Sequence, residues 1–259
     1  MIQIFFKYFL LAFLVQLAGC ASVGKSISNP WSAASVGGAS GASGASGASG
    51  ASGASGAMWQ HFRFPGKQST QFTYGYQQGR HAVEAVAQSS ASMWRQVLRI
   101  EPAQLNVVKF SWKVPGLIAG ADMAKRDHDD SPARVVLSFD GDRSKFSVRN
   151  VMLSEMARLL TGEEMPYATL MYVWCNACER ESMIVNPRTD RVRKLALESG
   201  PERLNHWIDY ERDIRADFEK TFGEPPGALI SVALMTDTDN TKSDTKVWYG
   251  PISLTPLPP

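Results

Sequence analysis

Apolar and polar positions alternate along much of the chain after residue 58, in stretches too short for helices. Val108, Phe110, Trp112 and Val114 alternate with Lys109, Ser111 and Lys113, the period of two that turns one face of a β-strand toward a core. Ala133, Val135, Leu137 and Phe139 alternate in the same way with Arg134, Val136, Ser138 and Asp140, and Gly141-Asp142 supplies turn residues. Further stretches read as strands at 59–64, 70–76, 81–87, 94–100, 170–174, 182–185, 192–197, 229–235 and 247–254. Short strands punctuated by turns, with no regular strand–helix alternation, predict a mainly β fold. The expected architecture is an antiparallel β-sandwich with one or two accessory helices.

The helical period enters at two places. Trp207, Tyr210, Ile214, Phe218 and Phe222 recur at three- and four-residue steps, and Gly223 with Pro225-Pro226 supplies a stop. The other side of this stretch carries Glu211, Arg212, Asp213, Arg215, Asp217, Glu219 and Lys220, so it reads as an amphipathic helix covering an end or edge of the sandwich. A shorter helix is expected over 151–160, where Ser154 and Glu155 leave its start open.

The chain opens differently. An apolar run from Tyr8 to Val15 precedes Leu17-Ala18-Gly19-Cys20. The run is too short to span a hydrocarbon core of about 30 Å, and it has the length of a secretory signal. The four residues resemble the lipobox of bacterial lipoprotein precursors, which implies that Cys20 becomes the lipid-modified first residue. By resemblance to Gram-negative sorting, Ala21 in place of an acidic residue implies delivery to the outer membrane, facing the periplasm. Residues 1–19 are then a signal peptide, 20–57 a lipid-anchored tether and 58–259 one folded domain. Glycine recurs every third residue through 38–57 with no proline, which favours a flexible coil over a collagen helix. The roughly 38 links from Cys20 to Met58 have an r.m.s. reach of about 35 Å. Neutral repeat slippage would leave the same pattern, since such a tether needs only slack.

Composition narrows the function. A formal charge of +2 with basic residues scattered among acids leaves no footprint for nucleic acid. Cys175 and Cys178 are the two thiols left after processing at Cys20, and in an oxidising envelope their spacing most simply gives a local disulfide. Zinc would need two more ligands, and His61, His81, His128 and His206 show no paired spacing. A thioredoxin-like role would need a strand-to-helix junction in an α/β context.

Two oxygen-rich stretches are the chemical candidates. Asp237, Asp239, Thr241 and Ser243 alternate like calcium ligands, but Lys242 stands where an EF-hand needs glycine and no glutamate fills its twelfth position. A looser calcium site from Asp237, Asp239 and Thr241, joined by Asp129 or Asp130, remains open beside a solvated hairpin stabilised by its own turns. Asp127, Asp129 and Asp130 precede Arg134, while Glu211, Arg212 and Asp213 lie far along the chain. Two carboxylates brought together would suit glycoside hydrolysis, whereas ion pairs to the arginines would merely fix loops. Trp174, Trp248 and Tyr249 sit near strand ends, where aromatic rings either stack on sugars or fill a core.

The order Phe110-Ser-Trp-Lys-Val114, Asp127-His-Asp-Asp130, Tyr172-Val-Trp174, Glu211-Arg-Asp213 and Met235-Thr-Asp-Thr-Asp-Asn-Thr241 before Trp248-Tyr-Gly250 resembles an uncharacterised family of exported bacterial domains of unknown function. The resemblance spans nearly all of 59–254. It implies a jelly-roll sandwich akin to galactose-binding and other carbohydrate-binding modules, and it brings no catalytic residues. The expectation is thus an envelope protein, lipid-anchored, whose non-catalytic sandwich binds a ligand, foremost a glycan. Asp129, Asp130, Arg134, Trp174, Asp237, Asp239, Asn240, Trp248 and Tyr249 are its candidate ligand residues. An assembly protein gripping a protein partner and a glycan-active hydrolase are the rival readings.

Overall fold

The alternating stretches become strands in a computed structural model that describes residues 59–255. In chain order the elements are β1 (Gln60–Arg63), β2 (Gln71–Gln77), β3 (Arg80–Gln88), β4 (Ala91–Ile100), β5 (Val107–Lys113), β6 (Ser131–Phe139), α1 (Val148–Thr161), β7 (Ala168–Cys175), β8 (Met183–Val185), β9 (Val192–Ser199), β10 (Ile208–Asp213), α2 (Ile214–Phe222), β11 (Leu229–Asp237), β12 (Asp244–Tyr249) and β13 (Ser253–Thr255). One seven-stranded sheet runs β1-β4-β11-β6-β7-β9-β8; a six-stranded sheet runs β10-β5-β12-β3-β2, with β13 added on β5. Their inner faces share one core, and the fold is a β-sandwich as the alternation predicts. All strand pairs are antiparallel except β7 with β9, which are parallel because β8 intervenes and takes the outer edge. The expected signal peptide and tether, Cys20 included, lie outside the described residues.

The core is aromatic. Phe110 stacks on Tyr172 across the sandwich and on Tyr210 beside it, while Trp112 meets Trp174 at 6.4 Å between ring centroids. Phe218 and Phe222 on α2 close one end against Phe139. Burying such rings, each worth about 1.5–3 kcal/mol relative to exposure, is the main force holding the sheets together.

Three local expectations are corrected. The helix expected from Trp207 begins only at Ile214: 208–213 is strand β10, pairing β5 with Tyr210 opposite Phe110. Ile208, Tyr210 and Arg212 turn inward while Asp209, Glu211 and Asp213 are exposed, and Asp213 then caps α2 by accepting from the Ala216 amide at 3.0 Å. The strand expected over 247–254 is broken after Tyr249, since Pro251 has no N–H to donate. Gly250 is held there too: a Cβ on it would lie 2.1 Å from Ser111 Oγ. The helix expected at 151–160 runs over Val148–Thr161, capped by Ser147, whose hydroxyl accepts from the Asn150 amide.

The fold also covers more of the sheet than alternation suggests. Every residue of β6 is buried, so the seven-stranded sheet is covered on its outer face as well. Register places Met93, Arg95 and Val97 of β4, Ser231, Ala233 and Met235 of β11, Arg134, Val136 and Ser138 of β6, and Thr169, Met171 and Val173 of β7 on that outer face.

Candidate functional site

The loops before β6 and after β11 fold onto one another. Arg134, fully buried on the outer face, donates Nε to Asp237 Oδ1 at 2.9 Å and Nη2 to Asp237 Oδ2 at 3.0 Å. The same Nη2 reaches Asp129 Oδ1 at 3.1 Å, where Lys194 from β9 also donates at 2.6 Å. Asp130 accepts from the Asn240 amide, from Asn240 Nδ2 at 3.1 Å, and from both the backbone and hydroxyl of Thr241 at 2.7 Å. Asn240 Nδ2 also donates to the Asp129 carbonyl, and Lys67 closes the far side on Asp239. The two oxygen-rich stretches therefore do converge, as a closed network of buried charges.

Burial sets the protonation of this network. Asp237 is pushed up to about 7 by desolvation, with Asp130 and Asp129 adding repulsion that Arg134 only partly offsets. Lys194 is drawn down to about 8 by its burial and by Arg134. Asp129 is buried too, yet Arg134 and Lys194 hold it below the usual carboxylate range.

Carboxylate oxygens of Asp130, Asp237 and Asp239 lie within 4.8 Å of one another, the arrangement that would suit a cation. Of the expected calcium set, Asp237 and Asp239 are in this group with Asp130, and the Thr241 hydroxyl donates to Asp130 Oδ2. Each of the three carboxylates already accepts from Arg134, Lys67, Asn240 or Thr241, so an ion there would compete with those donors.

Beside the network, on the same outer face, Val136, Ala233 and Met235 pack with Phe64, Met93 and Met171 and form an apolar floor. A cleft of about 420 Å³ opens between β4, β11, β6 and β7 on one side and α1 with the residues after it on the other. Phe62, Phe64, Met93, Met165, Met171 and Met235 give it an apolar wall, and Ala157 and Thr161 face it from α1. Arg95 stands at its edge, held by Glu163 through two bonds of 2.6 and 2.7 Å and stacked 4.3 Å over the Phe62 ring. Met171 joins the two regions: it lines the cleft and lies 3.8 Å from Arg134 Nη1.

A family model described as a protein of unknown function, DUF3047, matches residues 57–253, the stretch that builds both sheets, the network and the cleft. The chain belongs to the DUF3047 family. No curated protein matches it.

Within this DUF3047 domain the expected aromatic platforms are mostly closed. Trp174 is 0% exposed and donates Nε1 to the Gly200 carbonyl. Tyr249 is equally buried, its hydroxyl donating to the Met235 carbonyl and accepting from the Arg134 amide. Neither ring has a face for a sugar, because both lie in the sandwich core. Trp248 is half-buried on the opposite side of β12, with Lys113 and Lys246 ammonium groups 5.6 and 5.2 Å from its ring centroid, so it stands apart from the Asp237 loop.

The pair of carboxylates imagined for hydrolysis is not assembled either. Glu211 pairs with Lys109 on the six-stranded sheet, Asp213 caps α2, and Asp129 and Asp130 belong to the other sheet's outer face. Arg212 instead holds Asp217 and Glu181, the loop-fixing role. Cys175 and Cys178 form the local disulfide. Sequence reasoning missed Lys67 and Lys194, which look like ordinary surface lysines, and the methionines of the cleft. The signal for the latter was present in β11, whose Leu-Ile-Ser-Val-Ala-Leu-Met run is apolar on both parities, the mark of a strand covered on both faces.

Proposed function

We propose that this protein is a lipid-anchored component of the cell envelope whose DUF3047 domain binds, without turning it over, a mainly apolar small molecule in the cleft between β4 and α1. The observation that carries this reading is the cleft: about 420 Å³ of space lined by aromatic and thioether side chains, with Arg95 and Glu163 at one rim. Pockets of some 300–1,000 Å³ with apolar walls and few convergent polar groups are the common form of small-molecule sites. Methionine lining suits ligands of variable shape, since its unbranched side chain repacks at low cost. The charge network is the rigid shoulder of this site, fixing β6, β9 and the β11–β12 loop so that Met171 and Met235 stay in place. The lipid anchor and tether would deliver the domain to where amphipathic molecules are abundant.

Displacement of an environment-sensitive naphthylamine probe tests the proposal. The protein is expected to bind the probe and to release it to long-chain fatty acids. Ala157→Trp, which fills the cleft from α1, is expected to weaken binding by roughly tenfold or more, about 1.4 kcal/mol. Absence of probe binding, or binding untouched by that substitution, would remove the reading.

A further inference from the structure

The helix that roofs the cleft is built inside out. Successive residues of an α-helix turn by about 100°, so Val148, Met152, Met156 and Leu159 form one stripe, and Asn150, Ser154, Ala157 and Thr161 the opposite one. In the fold it is the polar stripe that turns inward: Asn150 and Ser154 are buried, and Asn150 donates to Asp190 and accepts from Thr189. The apolar stripe faces out, with Val148 79%, Met152 66%, Met156 55% and Leu159 77% exposed, and Leu160 beside them at 61%. Exposed apolar residues scattered singly need no explanation, but a whole helical face of them marks an interaction surface.

We infer that this outward face of α1 docks the domain on an anionic lipid bilayer. Charge supports a lipid surface as the occupant. Between Asp142 and Glu164, four basic residues, Arg143, Lys145, Arg149 and Arg158, stand against four acids, Asp142, Glu155, Glu163 and Glu164, and Arg143, Arg158 and Arg95 of β4 hold three of those acids in ion pairs. Among the described residues no ion pair engages Lys145, Arg149 or the nearby Arg188, all exposed. An apolar stripe edged by cations is the pattern of helices that lie in the membrane interface. The chain outside the fold supports it as well. The described chain begins at residue 59 and enters β1, whose Phe62 and the following Phe64 wall the same cleft that α1 covers. Given the lipid anchor proposed above, a tether of about 38 links would keep the helix at high effective concentration near the lipid, where a short apolar stripe needs little affinity of its own.

The inference rests on the envelope location proposed above, and its test is made independent of natural lipidation. The chain from Ala21 onward, carrying an N-terminal histidine tag, is held on phosphatidylcholine–phosphatidylglycerol vesicles containing a nickel-chelating lipid, and amide hydrogen exchange is followed. Exchange in 148–161 is expected to slow by roughly tenfold or more on the vesicles relative to the free protein. The slowing is expected to vanish in Met152→Glu/Leu159→Glu, whose exposed positions leave the thermal unfolding midpoint unchanged, and to weaken with added salt. Unchanged exchange of α1 on vesicles overturns the proposal. So does slowing that survives the double substitution, or slowing that appears without vesicles as protein concentration rises, which would assign the face to a second copy. Probe binding in the cleft is read separately, so loss of one conclusion leaves the other standing.

Discussion

At the scale of single residues, Arg134 decides the most. It sits between Asp237 and Asp129 with no access to water, and either carboxylate without it would be a buried charge lacking its main counterion. Removing one member of such a group costs about 3–5 kcal/mol, far more than an exposed pair, because the desolvation already incurred is no longer offset. Arg134→Met is therefore expected to lower the unfolding free energy in urea by about that amount, and a loss under about 1 kcal/mol would contradict the role given to it. The pH dependence has a definite sign. Asp237, raised from its unfolded value near 4 to about 7, holds its proton longer in the folded protein, so its contribution is full below about pH 4 and is lost as pH rises through 7. Asp237→Asn should flatten the fall of stability across that window, measured as the urea midpoint against pH. A wild-type slope retained in the variant would show that another group titrates there. The network's acids were legible in the sequence because Asp-rich loops stand out; Lys67 and Lys194 were not, since nothing local distinguishes a lysine that will be drawn 65 residues across the fold from one left in solvent.

At the scale of elements, the boundary between β10 and α2 shows what patterning can and cannot decide. Tyr210 and Ile214 are four apart and fit a helix, yet Ile208, Tyr210 and Arg212 also fit a strand, and pairing with β5 decides between them. Asp213 marks the switch, as the side chain that satisfies the amide of Ala216, one of the α2 amides with no partner inside the helix. Asp213→Ala is expected to cost about 1 kcal/mol in equilibrium unfolding, and an unaltered midpoint would show that packing of Phe218 and Phe222 alone holds the helix start. Most strands were legible from alternation because one face of each meets the core. The exceptions are instructive: β6 and β11 are covered on both faces, so their outward residues Val136, Ala233 and Met235 carry no polar signature, and the cleft they help to line has no sequence motif.

At the scale of the molecule, the sandwich uses its two sides differently. The interior is conventional, aromatic and closed. The outer face of the seven-stranded sheet carries a locked network of charges at one end and an apolar cleft at the other, roofed by a helix whose own apolar side faces away. Such an arrangement stabilises the scaffold where the charges sit and leaves space where a ligand would enter. The glycan expectation grew from the resemblance to carbohydrate-binding modules and from the Asp237 loop, with Trp174 and Tyr249 as platforms that the fold buries, while the apolar expectation comes from space left on the sheet. The ten methionines of the chain make this directly measurable, since four of them, Met93, Met165, Met171 and Met235, line the cleft. The decisive measurement is a titration of protein carrying ¹³C-labelled methionine methyl groups with a long-chain fatty acid, followed by NMR. Shifts confined to Met93, Met165, Met171 and Met235, with Met123 and Met183 unmoved, are the predicted result; unmoved cleft methyls at saturating ligand would contradict the account.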